Sequence, residues 1–382
     1  MPSIVIFARY NMKLVKKIML WILIIIGSFF LVAALYMKQE KFGKNPSGKR
    51  LEAIKKSPNY RNGQFQNINH TPSFEDVSFF EAMQQFFFTD KPRNVPAGSI
   101  PSQKTSLTNM APGKDALVWF GHSSYFIQID GKKILVDPIF SDHAAPVSFS
   151  TKAFKGANAY TAQQLPEIDY LFITHDHWDH LDHATLKQLQ PKIKRIITGL
   201  GIGAHLEHWG FDPGIIIEKD WNETIVLDDG FVAHSAPARH FSGRTLVRNK
   251  TLWTSWVLQT PTMKIYIGGD SGYDTHFADV GKKYGPIDLA ILDNGQYNKN
   301  WKYIHLMPGE ILKAANDLHA KNVLPVHSAK FALAMHPWDE PLINAFKAFQ
   351  QSDIKLITPM IGEEVRLKDS TQVFSQWWVG VD

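Results

Sequence analysis

The feature that most restricts the fold is a run of 20 residues, Ile18 to Met37, without one Asp, Glu, Lys, Arg, His, Asn or Gln. A segment this apolar is stable either inside a large protein core or in lipid, as a helix whose backbone groups bond to one another. At 1.5 Å per residue, 20 helical residues reach about 30 Å, the thickness of a bilayer's hydrocarbon layer. Trp21 and Tyr36 stand near its two ends, where amphipathic rings favour the membrane–water boundary. The alternative is a cleaved signal peptide, with Ala33-Ala34 as the small residues near a cleavage point. A signal's apolar stretch usually covers about 7–15 residues, so length favours an uncleaved single-pass anchor and a membrane location.

Charge divides the chain at the same place. Residues 1–62 hold 12 Lys/Arg against 2 Asp/Glu, so a formal net charge of +5 separates into a leader of +10 and a body of −5. An isoelectric point near 9.0 would ordinarily raise nucleic acid as a partner. Here the basic excess is confined to the flanks of the apolar run, and no nucleic-acid partner is expected. The sequence therefore divides into a basic flank (1–17), an anchor (18–37), a basic linker grading into an N-terminal extension (38–110) and a main domain (111–382). Four basic residues precede the span and seven follow it closely, which leans toward a cytoplasmic body, whereas the tight Lys16-Lys17 pair argues for the opposite side. Lysines of the linker could rest on anionic headgroups or simply be solvated. Phe79, Phe80, Phe86, Phe87 and Phe88 form two aromatic clusters, read either as packing against the body or as a lipid-facing surface.

From Ala116 onward the texture changes to short apolar runs punctuated by Gly, Asp and His. Tyr125–Ile129 and Lys133–Val136 flank Asp130-Gly131, a pair that accepts the positive φ of a two-residue hairpin. Strands are also expected at Leu117–Phe120, Tyr170–Thr174, Arg195–Thr198, Thr224–Leu227, Trp256–Gln259, Lys264–Ile267, Leu289–Leu292 and Asn322–Val326. Helices are expected at Ala184–Leu189, Gly203–Trp209, His276–Tyr284, Pro308–Leu318 and Pro341–Phe349. Hairpin-paired strands followed by strands with helices between them predict a layered α/β sandwich.

The chain has no cysteine, which removes disulfides, thiolate metal ligands and a cysteine nucleophile, so a metal must sit on its 16 His and its carboxylates. At the end of one expected strand stands His175-Asp-His177-Trp-Asp179-His180, the pattern His-x-His-x-Asp-His. In an extended segment His175 and His177 project to one face and can grip one ion; a turn after Trp178 carries Asp179 and His180 toward a second. Nitrogen and oxygen donors without sulfur suit zinc, and also manganese or iron. Further ligands should come from other strand ends. Gly268-Gly-Asp270 closes an apolar strand, His327 tips another, and His240 follows a loop.

With these pieces the chain resembles the metallo-β-lactamase fold superfamily, in the branch holding N-acylphosphatidylethanolamine-hydrolysing phospholipase D. The likeness spans roughly Phe79 to Arg366. It is carried by Gly121-His-Ser-Ser124, Leu135-Val-Asp-Pro-Ile-Phe-Ser141, the His175–Asp182 motif, Arg239-His240, Gly268-Gly-Asp-Ser-Gly-Tyr273, Tyr303-Ile-His305 and His327 with Phe331-Ala-Leu-Ala334. The resemblance implies a four-layer αββα sandwich, so that 111–382 is a metallo-hydrolase domain preceded by one transmembrane helix. It further implies two zinc ions, one on His175, His177 and His240, the other on Asp179, His180 and His327, with Asp270 bridging. His305 and Asp179 are the implied catalytic residues, His305 as proton donor to the departing alkoxide or hydrogen-bond partner of a phosphate; by residue pattern alone it is equally a polar residue at a helix start. Asp182 is expected to orient a ligand imidazole, or to cap the helix after it. His122 is expected to make structural hydrogen bonds.

The implied substrate is a membrane phospholipid, cleaved to N-acylethanolamine and phosphatidic acid. A hydrolase of a soluble lactone, cyclic phosphodiester or nucleic acid is the alternative, and a non-catalytic metal-binding scaffold the third reading. A homodimer is compatible with the sequence.

Overall fold

The computed structural model describes residues 2–72 and 77–381; the side chains of residues 2–13 and of Phe79, Ala82, Met83, Phe86 and Phe87 also lie outside the described set. The chain divides into two compact units, one ending at Gly43 and one running from Lys44. The first is dominated by a single helix, α1 (Pro2–Tyr36). Of it, Leu14–Tyr36 is long and apolar enough to cross a membrane, and its large side chains are exposed. Gly27 is its one interior glycine and no proline interrupts it, so the run of apolar residues stays helical throughout.

The second unit begins with a strap. It comprises the short helix α2 (Gly48–Ile54) and a hairpin of β1 (Tyr60–Arg61) and β2 (Gln64–Phe65) turning on Asn62-Gly63, both at positive φ. Ile54 and Phe65 are fully buried against Trp221, Ala238, Leu252 and Trp253. The basic residues expected in a linker here include Arg50, which is paired with Glu207 and with Glu218 at 2.7 Å. Helix α3 (Phe79–Phe88) follows, opened by a Ser78–Glu81 capping box. Phe80 and Phe88 are exposed on it; the other three phenylalanines of the two clusters are outside the described side chains.

Two seven-stranded sheets form the body. The first runs β3 (Ala116–Trp119), β4 (Tyr125–Ile129), β5 (Lys132–Val136), β6 (Ile168–Ile173), β7 (Ile193–Gly199) and β8 (Ile216–Lys219). The second runs β9 (Thr224–Asp228), β10 (Phe231–Ala236), β11 (Ser255–Gln259), β12 (Lys264–Ile267), β13 (Leu289–Asp293), β14 (Asn322–Val326) and β15 (Lys355–Leu356). The last strand, β16 (Glu364–Arg366), returns to pair antiparallel with β3 and completes the first sheet. The β4–β5 hairpin turns on Asp130 and Gly131 with φ of 48° and 77°, as the sequence predicts.

Alternation along the strands builds the layers. From β4, Tyr125, Ile127 and Ile129 enter the core between the sheets, where Phe172 meets Trp256 edge-on at 5.7 Å. Phe126, Leu135, Leu171 and Ile173 face outward onto α4 (His183–Leu189) and α5 (Gly203–His208), through Leu186, Leu189 and Leu206. The outer face of the second sheet, through Tyr266, Ala290, Leu292 and Val323, is covered by α6 (His276–Tyr284), α7 (Glu310–Asp317) and α8 (Glu340–Phe349). Strands buried on both faces read as near-continuous apolar runs, which is why they stand out in the sequence. The order is helix, sheet, sheet, helix: the four-layer αββα sandwich.

Candidate metal centre

The chemistry gathers at one edge, in the loops that follow strands. β6 ends at Ile173, and Asp137, just past β5, fastens the next residue: Thr174 donates its amide to Oδ1 at 2.9 Å and its hydroxyl to Oδ2 at 2.6 Å. The chain then folds back after Trp178, where the amides of His180 and Leu181 donate to the His177 carbonyl at 3.1 and 2.8 Å. That turn brings Asp179 and His180 beside His175 and His177. Asp270 arrives from the end of β12 through Gly268 and Gly269. Gly269 has φ of 61°, and a Cβ on it would stand 2.8 Å from Thr174 Cβ, so only glycine lets the two strand ends approach. His327 and His122 arrive together, each segment donating an amide to the other: His327 to the His122 carbonyl at 3.0 Å, and His122 to the Ser328 carbonyl at 2.9 Å.

The seven side chains nominated from the sequence converge. His177 Nδ1 lies 2.9 Å from His175 Nε2 and 3.1 Å from His240 Nε2, with Asp270 Oδ2 at 3.8 and 3.7 Å from the latter two nitrogens. In a second group Asp179 Oδ2 is 3.3 Å from His327 Nε2, 3.6 Å from His180 Nε2 and 2.8 Å from His122 Nε2. Asp270 reaches this group too, at 3.1 Å from both His180 Nε2 and His327 Nε2. One carboxylate thus stands between two sets of imidazoles.

The donor set fits divalent cations. A single His177 nitrogen faces two other ring nitrogens, a geometry in which hydrogen bonds satisfy one contact at most but lone pairs can share a cation. His180 Nε2 and Asp270 Oδ1 are buried without a hydrogen-bond partner despite their proximity. Burial pushes the His175 and His240 imidazoles well below their ordinary range and His177 down to about 4, so these rings are neutral and their lone pairs available. Burial opposes charge on Asp270, but the field of His180 and His327 outweighs it and holds the carboxyl well below the usual range. The ring nitrogens facing away from the clusters are oriented by the surrounding protein: His180 Nδ1 by Asp137 at 2.8 Å, His327 Nδ1 by Asp293 at 3.1 Å, His240 Nδ1 by the Ile304 carbonyl at 2.9 Å and His175 Nδ1 by Thr174 Oγ1 at 3.0 Å.

His305 lies beside both clusters. Its ring is stacked on His327 at 4.8 Å and 5.1 Å from His240, and its Nδ1 is 2.7 Å from Asp293 Oδ2. Asp182 does not orient an imidazole: its oxygens accept from the Ala184 and Ser141 amides and the Thr185 hydroxyl, which makes it the cap of α4. The orienting carboxylates are Asp137 and Asp293. Asp293 carries no motif in the sequence, although as the last residue of the apolar strand β13 it offers the same kind of signal as Asp270, three residues past β12. His122, expected to make structural hydrogen bonds, makes its side-chain contact inside the second cluster, to Asp179.

Residues 132–328 match the family described as beta-lactamase superfamily domain. An uncharacterized protein of Mycobacterium tuberculosis is 35% identical over 327 residues, covering 84% of this chain and 87% of that one. N-acyl-phosphatidylethanolamine-hydrolyzing phospholipase D 1 of Caenorhabditis elegans is 29% identical over 222 residues, 55% of this chain and 62% of that protein. Among solved structures, isothiocyanate hydrolase from Delia radicum gut bacteria shares the fold with a TM-score of 0.53 at 19% identity, over 65% of this chain and 98% of that one. The chain belongs to the beta-lactamase superfamily, as a metal-dependent hydrolase of the branch that resembles the N-acylphosphatidylethanolamine-hydrolysing phospholipases D.

Proposed function

We propose that the protein is a membrane-anchored phosphodiesterase of the phospholipase D type. It would cleave N-acylphosphatidylethanolamine to N-acylethanolamine and phosphatidic acid. The observation that carries the reading is the Asp270 carboxylate between two imidazole groups. In this reading His175, His177 and His240 would hold one zinc ion, Asp179, His180 and His327 the other, and Asp270 would serve both, with His122 bonded to the Asp179 carboxylate. Two such ions, when bound, supply a nucleophile from water at neutral pH and stabilise charge on a phosphoryl oxygen. The similarity to the nematode phospholipase supports the lipid, and the exposed apolar stretch Leu14–Tyr36 supports an enzyme that meets its substrate in the bilayer.

The chain's own residues define the rest. Asp293, accepting at 2.7 Å, fixes the proton of His305 on Nδ1 and sets the ring beside His240 and His327, one imidazole of each cluster. From there His305 in its protonated form gives the departing ethanolamide alkoxide its proton as the phosphorus–oxygen bond breaks. The water oxygen ends on phosphatidic acid.

Full-length protein loaded with zinc, incubated with N-acylphosphatidylethanolamine bilayers in ¹⁸O water, should label phosphatidic acid and leave the ethanolamide unlabelled. His305→Ala should lower the rate about 10²–10⁴-fold with metal content unchanged. Label in the ethanolamide would mean carbon–oxygen cleavage and end this mechanism. Absence of turnover on any phospholipid by the loaded enzyme would transfer the function to a soluble substrate.

A further inference from the structure

Three imidazoles of the centre come from two loops, His175 and His177 from the loop after β6 and His240 from the loop after β10. What holds those loops in register is Asp176, the residue between the two histidines. Its Oδ1 accepts the Gly243 amide at 2.6 Å and its Oδ2 the Thr251 hydroxyl at 2.8 Å, both from the His240 loop. Oδ2 also accepts from His205 Nε2 at 3.2 Å. His205 Nδ1 in turn accepts the backbone amide of Lys44 at 3.0 Å. A ring that accepts at Nδ1 and donates at Nε2 is neutral and locked in one tautomer. So the first residue of the second unit is joined through two hydrogen bonds to the metal loop.

The far end of the strap touches the same trio directly. Asn67 donates its Nδ2 to the His240 carbonyl at 2.8 Å and accepts the His240 amide at 3.1 Å, a two-point grip on the backbone of an imidazole donor. Trp253 Nε1 donates to the same Asn67 oxygen at 3.0 Å and fixes it. Between these two contacts the strap is anchored by buried Ile54 and Phe65.

We propose that residues 44–67 are a positioning element of the metal centre, setting His175, His177 and His240 through Asn67 and through the Lys44–His205–Asp176 chain. The proposal rests on the reading that these imidazoles hold an ion. It assigns the strap to one ion and not the other, because among the described residues Asp179, His180 and His327 receive no hydrogen bond from it.

The test is chelator competition on zinc-loaded, full-length protein, following release of the two ions separately. Asn67→Leu removes the grip on His240. Lys44→Pro removes the amide that His205 accepts, since proline has no N–H. Each variant should release one zinc about 10–100-fold more readily, the range for lost supporting bonds in metal sites, with the other held as in the wild type. Wild-type retention of both ions in both variants would overturn the proposal. Equal loosening of both ions with a lowered Tm would reduce the strap to general stabilisation and overturn it as well. Wild-type protein that binds no zinc would fail the metal reading itself, a result distinct from either.

Discussion

Each seven-stranded sheet is antiparallel across three neighbouring pairs and parallel across the next three, yet the two halves supply the centre differently. The first sheet delivers four donors, His175, His177, Asp179 and His180, in one loop of six residues after β6. The second delivers His240, Asp270 and His327 singly, from loops after β10, β12 and β14, with Asp293 ending β13. A contiguous loop can fold its donors locally. Dispersed donors have no mutual geometry until the sheet has formed, so their placement is a property of strand register. The contrast predicts that the first half holds ions weakly alone and that the second half completes them.

The largest effect should come from Asp270→Ala, which removes a carboxylate lying within 3.8 Å of imidazoles of both clusters. Metal content by elemental analysis should fall from about two equivalents to near none, with turnover lost alongside. Full occupancy in that variant would break the comparison, because the six-residue loop would then suffice.

Next in size are the two orienting carboxylates, one per half. Asp137→Asn loosens His180 and the Thr174 strand end, whereas Asp293→Asn loosens both His327 and His305. Each should cost about 10–100-fold in metal affinity or rate. The second should depress rate beyond what lost metal explains, and restoring saturating zinc should rescue the first variant more completely. Equal rescue would show that His305 does not depend on Asp293.

The smallest effect concerns the join between the halves. Lys330, from the segment after β14, is fully buried and donates to the Phe120 and Ile139 carbonyls of the first half at 3.2 and 2.7 Å. Burial pushes its ammonium pKa down to about 7. An unfolded lysine keeps its proton to about pH 10.4. Between those values the unfolded chain binds a proton that the folded chain has released, so this residue's contribution makes stability rise with pH from about 7 toward 10; below about 7 both states are protonated and the contribution is flat. Thermal unfolding at pH 7 and pH 9 should show a rise in wild type that Lys330→Met diminishes. Identical slopes in the two proteins would remove Lys330 from the account.

The same contrast explains what the sequence discloses. The His175–His180 loop is legible because its spacing alone states a geometry. Asp270, His240 and His327 carry no such spacing; resemblance marks all three, and their places at strand ends mark Asp270 and His327. The strands buried on both faces are legible as apolar runs. β8 and β10 lie outside the expected strands, as do β1, β2, β15 and β16, which are only two or three residues long; β10 carries His234 and Ser235 within its run, although Asp229-Gly230 ahead of it is a hairpin signal. The strap has the composition of a linker because its polar, basic residues conceal the buried Ile54 and Phe65, whose partners lie far along the chain. Asp182 shows the converse. A carboxylate beside a metal motif invites a metal role, yet a residue followed by a helix start finds backbone amides closer at hand.

The return of β16 to the edge of β3 also sets a clock on synthesis. The first sheet's opening strand emerges from the ribosome long before its partner, and at ~5–20 residues per second the wait for residues 364–366 is on the order of 10–50 s. Ile54 and Phe65 wait a similar time for Trp253. Throughout that interval the nascent chain carries an unpaired strand edge and uncovered aromatic surface, the two features that recruit chaperones and favour misassembly. Expression of this protein should therefore depend on the cell's folding helpers more than the final packing density would suggest.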